Sequence, residues 1–161
     1  MRIAMGVEYD GSTFCGWQWQ QGVASVQEAV EAALSKVANQ PVSVVCAGRT
    51  DTGVHAAGQV IHFDTTVQRS ERAWVYGANA NLPKTVSMQW ARVVDPQFHA
   101  RFSARRRRYR YVLFCRPVRP TFLAERVTWD YRDLDHTRMA LAARYFIGEH
   151  DFTSFKTREC Q

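Results

Sequence analysis

One carboxylate stands in an unusual setting. In AGRTDTGVHAAGQVIHFD (residues 47–64), Asp51 has an arginine two positions before it and a glycine two positions after it. A guanidinium close to an acid favours its charged form, and a charged carboxylate suits nucleophilic attack or base work. Gly48, Gly53 and Gly58 allow the surrounding backbone to approach a ligand closely. Asp-Thr-Gly is also ordinary turn chemistry, in which the acid's side chain caps its own backbone. Aspartic proteases carry the same tripeptide directly after an apolar strand, in two copies that share one proton. Here Gly48-Arg49-Thr50 precedes it, a nearby arginine opposes proton sharing, and a second copy would have to come from another chain.

A second feature is basic. RFSARRRRYRYVLFCRPVR, from Arg101 to Arg119, holds eight arginines and no acid, in a chain of formal net charge +6. A solvated basic face is the plain reading of such a run. The arginines lead into a strand pattern with two tyrosines, Tyr109 and Tyr111, and that combination suits a nucleic acid. Guanidinium groups neutralise phosphates, and aromatic faces are available to stack on bases.

Regular elements must position these groups. RIAMGVEYD alternates Ile3, Met5, Val7 and Tyr9 against small or polar neighbours, which predicts a strand with one buried face. DGSTFCGWQWQQG reads as a glycine-rich loop with Phe14, Trp17 and Trp19 exposed. Ser25 and Glu28 form a capping box, and Val26, Ala29, Val30, Ala33, Leu34 and Val37 follow at helical spacing. VSVVCA (42–47) and QVIHFD (59–64) read as strands flanking the Asp51 loop. Residues 70–80 read as a helix ending before Pro83, and VSMQWARVV (86–94) as a further strand. The order β-α-β-β-α-β predicts an α+β, ferredoxin-like unit over 1–98, with two helices on one face of an antiparallel sheet. Residues 99–161 read as the incomplete start of a second α/β unit. RRYRYVLFC is its first strand, VTWDYR the partner strand, and a helix capped by Asp135 runs through Phe146.

Composition narrows the class. Apolar content of 46% with 22% charged residues belongs to a globular chain rather than a disordered one. No apolar run approaches the roughly 18 residues needed to cross a bilayer, and Met1 leads straight into a strand pattern. The expectation is a cytoplasmic protein without signal peptide or membrane anchor. Cys15, Cys46, Cys115 and Cys160 are far apart with no CxxC, which predicts reduced, mostly buried thiols and no zinc site.

GRTDTGVHAAGQV closely resembles the signature of the bacterial tRNA pseudouridine synthase I family. EYDGSTFCGWQ, SVQEAVEAAL, NANLP, FHARFSARRRRYRYVLF and GEHDFTSF resemble further blocks of that family in its own order, and together they span essentially the whole chain. The resemblance implies isomerisation of uridines in the tRNA anticodon stem-loop. Asp51 matches the catalytic aspartate. Arg49 matches the arginine that accompanies it and holds the target nucleotide out of the stack. Tyr109 matches the tyrosine that packs on the target base, and Arg101, Arg107 and Arg108 match basic positions near the RNA path. Arg105 and Arg106 enlarge a run that is less uniform in the family.

The implied reaction cleaves the N1–C1′ bond, rotates the uracil and joins C5 to C1′. It needs no redox partner or group donor, hence neither cofactor nor metal. The carboxylate starts it by adding to the base, by adding to the sugar, or by removing a sugar proton. The resemblance further implies a homodimer that receives tRNA across both subunits. It also implies a longer chain, whose C-terminal half supplies an apolar residue beneath the uridine and another basic residue. Neither has a counterpart before Gln161, so the sequence reads as a truncated fragment. A non-catalytic RNA-binding module would keep the sheet and the basic strand without needing GRTD. An assembly role through an exposed sheet edge is the third reading.

Overall fold

The structure, a computed structural model, describes residues 1–155, so Cys160 lies outside the described residues. The chain divides into two compact units, Met1–Arg110 and a second beginning at Tyr111. The first is a mixed α+β unit. Its elements are β1 (Arg2–Tyr9), α1 (Val26–Ala38), β2 (Val45–Cys46), β3 (Ala56–Asp64), α2 (Glu71–Asn79) and β4 (Val86–Val94). All four strands pair antiparallel in the order β2-β3-β1-β4.

The local signals explain these elements. Ser25 accepts the Glu28 amide at 3.2 Å and starts α1, while Ser70 accepts the Ala73 amide at 3.1 Å and starts α2. Asn39 ends α1 in the left-handed conformation, at φ 52°. Ile3, Met5 and Val7 of β1, Ile61 and Phe63 of β3, and Val26, Val30 and Leu34 of α1 are fully buried in one core with Trp74 of α2. Burying each such side chain contributes about 1.5–3 kcal/mol before entropy is counted.

Two readings of this unit are corrected. Phe14 and Trp17 are core residues, 7% and 2% exposed, and of the three loop aromatics only Trp19 faces solvent. Trp17 packs at 5.9 Å, tilted, against Tyr9, so the loop folds back onto the end of β1. The strand expected over 42–47 shrinks to Val45–Cys46. Before it, the Val42 amide donates to Ser35 Oγ at 2.9 Å and the Val44 amide to Glu31 Oε1 at 2.9 Å. Side chains of α1 therefore take the place of a ladder partner there.

Residues 96–102 cover part of the opposite face of the sheet, around Arg2 and His62. Arg2 pairs with Asp64 and donates to the carbonyls of Pro96 and Phe98. His62, 4% exposed, accepts the Ala100 amide through Nδ1 at 3.1 Å and packs on the Phe98 and His99 rings. Burial, with help from the Arg2 and His99 charges and against Asp64, pushes the His62 imidazole below its ordinary value of 6.5. A base whose folded value is depressed contributes stability above the unfolded value, and that stability is lost as pH falls. Protonation also removes the acceptor for Ala100. Thermal stability is expected to decline as pH drops through about 6.5 and to decline less in His62→Gln. Identical pH profiles for the two proteins in calorimetry would assign the loss to other groups.

In the second unit, β5 (Leu113–Cys115) pairs parallel with β6 (Thr128–Asp130). Helix α3 (His136–Ala143) is capped by Asp135, which accepts the Arg138 amide at 2.9 Å, and continues as a 3-10 turn, Arg144–Phe146. The strand expected over 107–115 forms only from Leu113, where pairing with β6 begins; the Thr128 amide also reaches Val112 O at 2.8 Å. Among the described residues the thiols are not mostly buried: Cys15 and Cys46 are half-buried and Cys115 is exposed. No helix among the described residues is long and apolar enough to cross a membrane.

Candidate active site

Two loops meet at the end of the sheet where β1 leaves it and β2 and β3 are joined. The first follows β1 and runs to α1; the second is the 47–55 loop. Main-chain bonds tie them together: the Trp17 amide donates to Thr50 O at 2.9 Å, and the Gly53 amide to Phe14 O at 3.3 Å. The contact is tight enough to demand glycine on the first loop. A Cβ on Gly11 would stand 2.1 Å from Val54 O. One on Gly16, whose φ is +87°, would stand 2.7 Å from Thr50 O. Between the loops lies an open cavity of about 230 Å³ lined by Cys15, Gln18 and Gln20 on one side and 49–52 on the other.

The loop that carries the acid is held from several directions. Tyr9, 2% exposed, places its hydroxyl 2.8 Å from Thr50 Oγ1. Burial pushes the Tyr9 phenol up, with its bonds to Thr50 and Gln59 acting the other way. Gln59 bonds both the carbonyl and the amide of Gly48. Burial likewise raises the Cys46 thiol, opposed chiefly by the nearby charge of Arg49 and also by that of Arg101.

Asp51 begins a β-turn, closed by the Val54 amide on Asp51 O at 3.2 Å, with Gly53 at φ +77° in the third position. The turn thus uses the backbone of Asp51. Its side chain does not form the Asx cap, since the Gly53 amide is taken by Phe14 O. Among the described residues the Asp51 carboxylate has no hydrogen bond or ion pair, Arg49 included. Both side chains line the cavity and are exposed.

The sequence pattern of the family described as tRNA pseudouridine synthase matches residues 5–103. A protein named tRNA pseudouridine synthase A from Pseudomonas aeruginosa is 61% identical over 161 residues, covering 99% of this chain and 56% of the relative. The like-named protein of Shewanella frigidimarina is 58% identical over 100% of this chain and 62% of its own length. That of Coxiella burnetii is 56% identical over 99% of this chain and 61% of its own. The chain belongs to the tRNA pseudouridine synthase family. It spans 56% to 62% of the length of these three relatives.

Against that family background, the residues singled out in the sequence fall into two groups. Asp51 and Arg49 share the cavity. Tyr109 is 72% exposed, and its hydroxyl lies 3.8 Å from where a Cβ on Gly48 would stand, beside the same loop. Arg107 is engaged by the fold: its guanidinium donates to Ala47 O, at 3.2 and 2.8 Å, and to Arg101 O at 3.0 Å. It fastens the basic segment to the Asp51 loop. Arg101 is exposed, with its guanidinium carbon 5.6 Å from the centre of the Phe102 ring. Arg108 is exposed and makes no hydrogen bond or ion pair among the described residues.

Several contributors carry no sequence signal of chemistry. Tyr9 reads as a core residue, Gln59 as a polar strand residue, and Gln18 and Gln20 as loop filler. Only the glycines at 11 and 16 hint that the first loop lies against something.

Proposed function

We propose that this protein, in the full length of its relatives, isomerises uridines in the tRNA anticodon stem-loop to pseudouridine. Asp51 is the catalytic carboxylate. Arg49 and Tyr109 hold the target nucleotide, Arg101 and Arg108 follow the RNA backbone, and Arg107, bound to the carbonyls of Ala47 and Arg101, holds the basic segment beside them. The observation that carries the reading is the Asp51 carboxylate. It lines a cavity with Arg49, in a turn that its own backbone carbonyl closes, so its side chain has no structural duty.

The geometry suits the bond changes. Cleaving N1–C1′ and forming C5–C1′ rearranges one nucleotide without gain or loss of atoms, so a carboxylate and a surface that retains the uracil supply the required chemistry. Flipping the base out of its stack costs a few kcal/mol, which stacking on Tyr109 and phosphate contacts offset. The exposed Tyr109 ring, whose hydroxyl reaches toward Gly48, supports the first contribution, and the exposed Arg101 and Arg108 the second. The element order and the strand order β2-β3-β1-β4 support a ferredoxin-like arrangement of the catalytic unit. The family kinship supports tRNA as partner, a homodimeric enzyme and a cytoplasmic site of action. The same reading places the catalytic loop in an N-terminal domain, read over 1–98 from the sequence, with a second after it; the compact units themselves divide between Arg110 and Tyr111.

Pseudouridine-specific chemical mapping of anticodon-arm RNA after incubation with the full-length protein tests the function. New pseudouridine in that arm supports it; tight RNA binding without any conversion turns the reading toward a non-catalytic module. The phosphate contacts have their own readout. Arg108→Gln is expected to lower the slope of log affinity against log salt by about 1. Arg107→Gln should chiefly disturb the loop that its guanidinium fastens. An unchanged slope in Arg108→Gln makes that side chain a solvated charge only.

A further inference from the structure

Where β2 and β3 part to form the Asp51 loop, the ladder between them is continued by a side chain. The last paired residues are Cys46 and Ile61, and the Ala47 amide still reaches Val60 O at 2.8 Å. At Gly48 the backbone partner is gone. The Gln59 carboxamide replaces it, donating to Gly48 O through Nε2 and accepting the Gly48 amide through Oε1 at 3.4 Å. The same oxygen accepts the Val60 amide at 3.2 Å, and Gln59 as a residue is only 9% exposed. One planar group thus holds the peptide before Gly48 and the peptide that joins Gly48 to Arg49.

The neighbouring residues have other restraints. Ala47 O is held by Arg107, and Thr50 is held through its carbonyl by the Trp17 amide and through its hydroxyl by Tyr9. Gly48 is the residue of the loop entrance with the greatest intrinsic backbone freedom, and its restraint falls on Gln59. We propose that Gln59 is a positioning residue for the isomerisation: by fixing both peptides at Gly48 it sets the direction in which Arg49 and Asp51 enter the cavity. This rests on the reading of Asp51 as the catalytic carboxylate.

The chemistry calls for a glutamine. The two bonds to Gly48 require a donor and an acceptor on one group. An ionised glutamate has only acceptors and would face the Gly48 carbonyl with one of them. Asparagine is a methylene short. Methionine keeps the length and makes neither bond.

The experiment uses the full-length protein and anticodon-arm RNA, with single-turnover isomerisation and RNA affinity measured below the melting temperature of each variant. Gln59→Met and Gln59→Asn are expected to lose about 100-fold in rate, the effect of a small misplacement of reacting groups, with RNA affinity little changed. Adding Gly48→Ala to Gln59→Met narrows the backbone freedom that the clamp removed and should recover part of the rate. The space for it exists, since the added Cβ would meet Arg107 Nε at 3.4 Å. A folded Gln59→Met or Gln59→Asn with the wild-type rate, alongside an inactive Asp51→Asn, overturns the proposal. So does a loss that appears only as weakened RNA binding. An active Asp51→Asn removes the catalytic reading itself, and the positioning role with it.

Discussion

Asp51→Asn is expected to abolish pseudouridine formation, leaving less than about a thousandth of the wild-type rate, while tRNA affinity stays close to wild type. The substitution keeps the size and shape of the side chain and removes its charge. Asp51 is exposed, and its carboxylate makes no hydrogen bond or ion pair among the described residues. Its backbone carbonyl, which closes the turn on Val54, is untouched. Stability should therefore change by less than about 0.5 kcal/mol, as for most exposed substitutions. The informative result is this dissociation of an unaltered melt from a lost reaction. Measurable turnover well above that level in the folded variant assigns the chemistry to another group. A lowered melting temperature would instead make Asp51 a structural member of the turn.

Tyr109 is expected to give the second large effect. With 72% of its surface exposed, its ring is not part of the core, so Tyr109→Ala should leave the fold intact. Its hydroxyl reaches toward Gly48 at the entrance of the Asp51 loop, and in the proposed role the exposed ring offers its face to the flipped base. Removing such a stacking face costs about 1–3 kcal/mol. Tyr109→Phe keeps the face and should retain most of the function, which single-turnover isomerisation with parallel melts can measure. If Tyr109→Phe is as inactive as Tyr109→Ala in a folded protein, stacking is the wrong account and the hydroxyl takes part in proton transfer. Comparable unfolding of both variants would make Tyr109 a residue of the fold rather than of the reaction.

Elements whose signals are local can be read from the residues alone. The serine caps at 25 and 70, the helical spacing from Val26 to Val37 and the alternation in β1 and β4 each act within a few residues, so helices and strands form there. The residues alone also mark the Asp51 loop, because an acid between an arginine and several glycines is unusual on its face. Tertiary structure decided what depends on partners distant in the chain. Trp17 is buried because its loop folds onto Tyr9 and Thr50, and no pattern near residue 17 states that. Arg107 looks identical to Arg108 in an arginine run, yet only Arg107 meets the carbonyls of Ala47 and Arg101. Residues 107–111 have strand composition, but the strand begins only where β6 shares its ladder, from the Thr128 amide on Val112 O onward. Gln59 shows the limit most clearly. As one of the polar residues of β3, with His62 and Asp64, it resembles an ordinary surface position. Its importance to the loop arises because folding brings the chain back across the sheet and leaves Gly48 within reach of its amide.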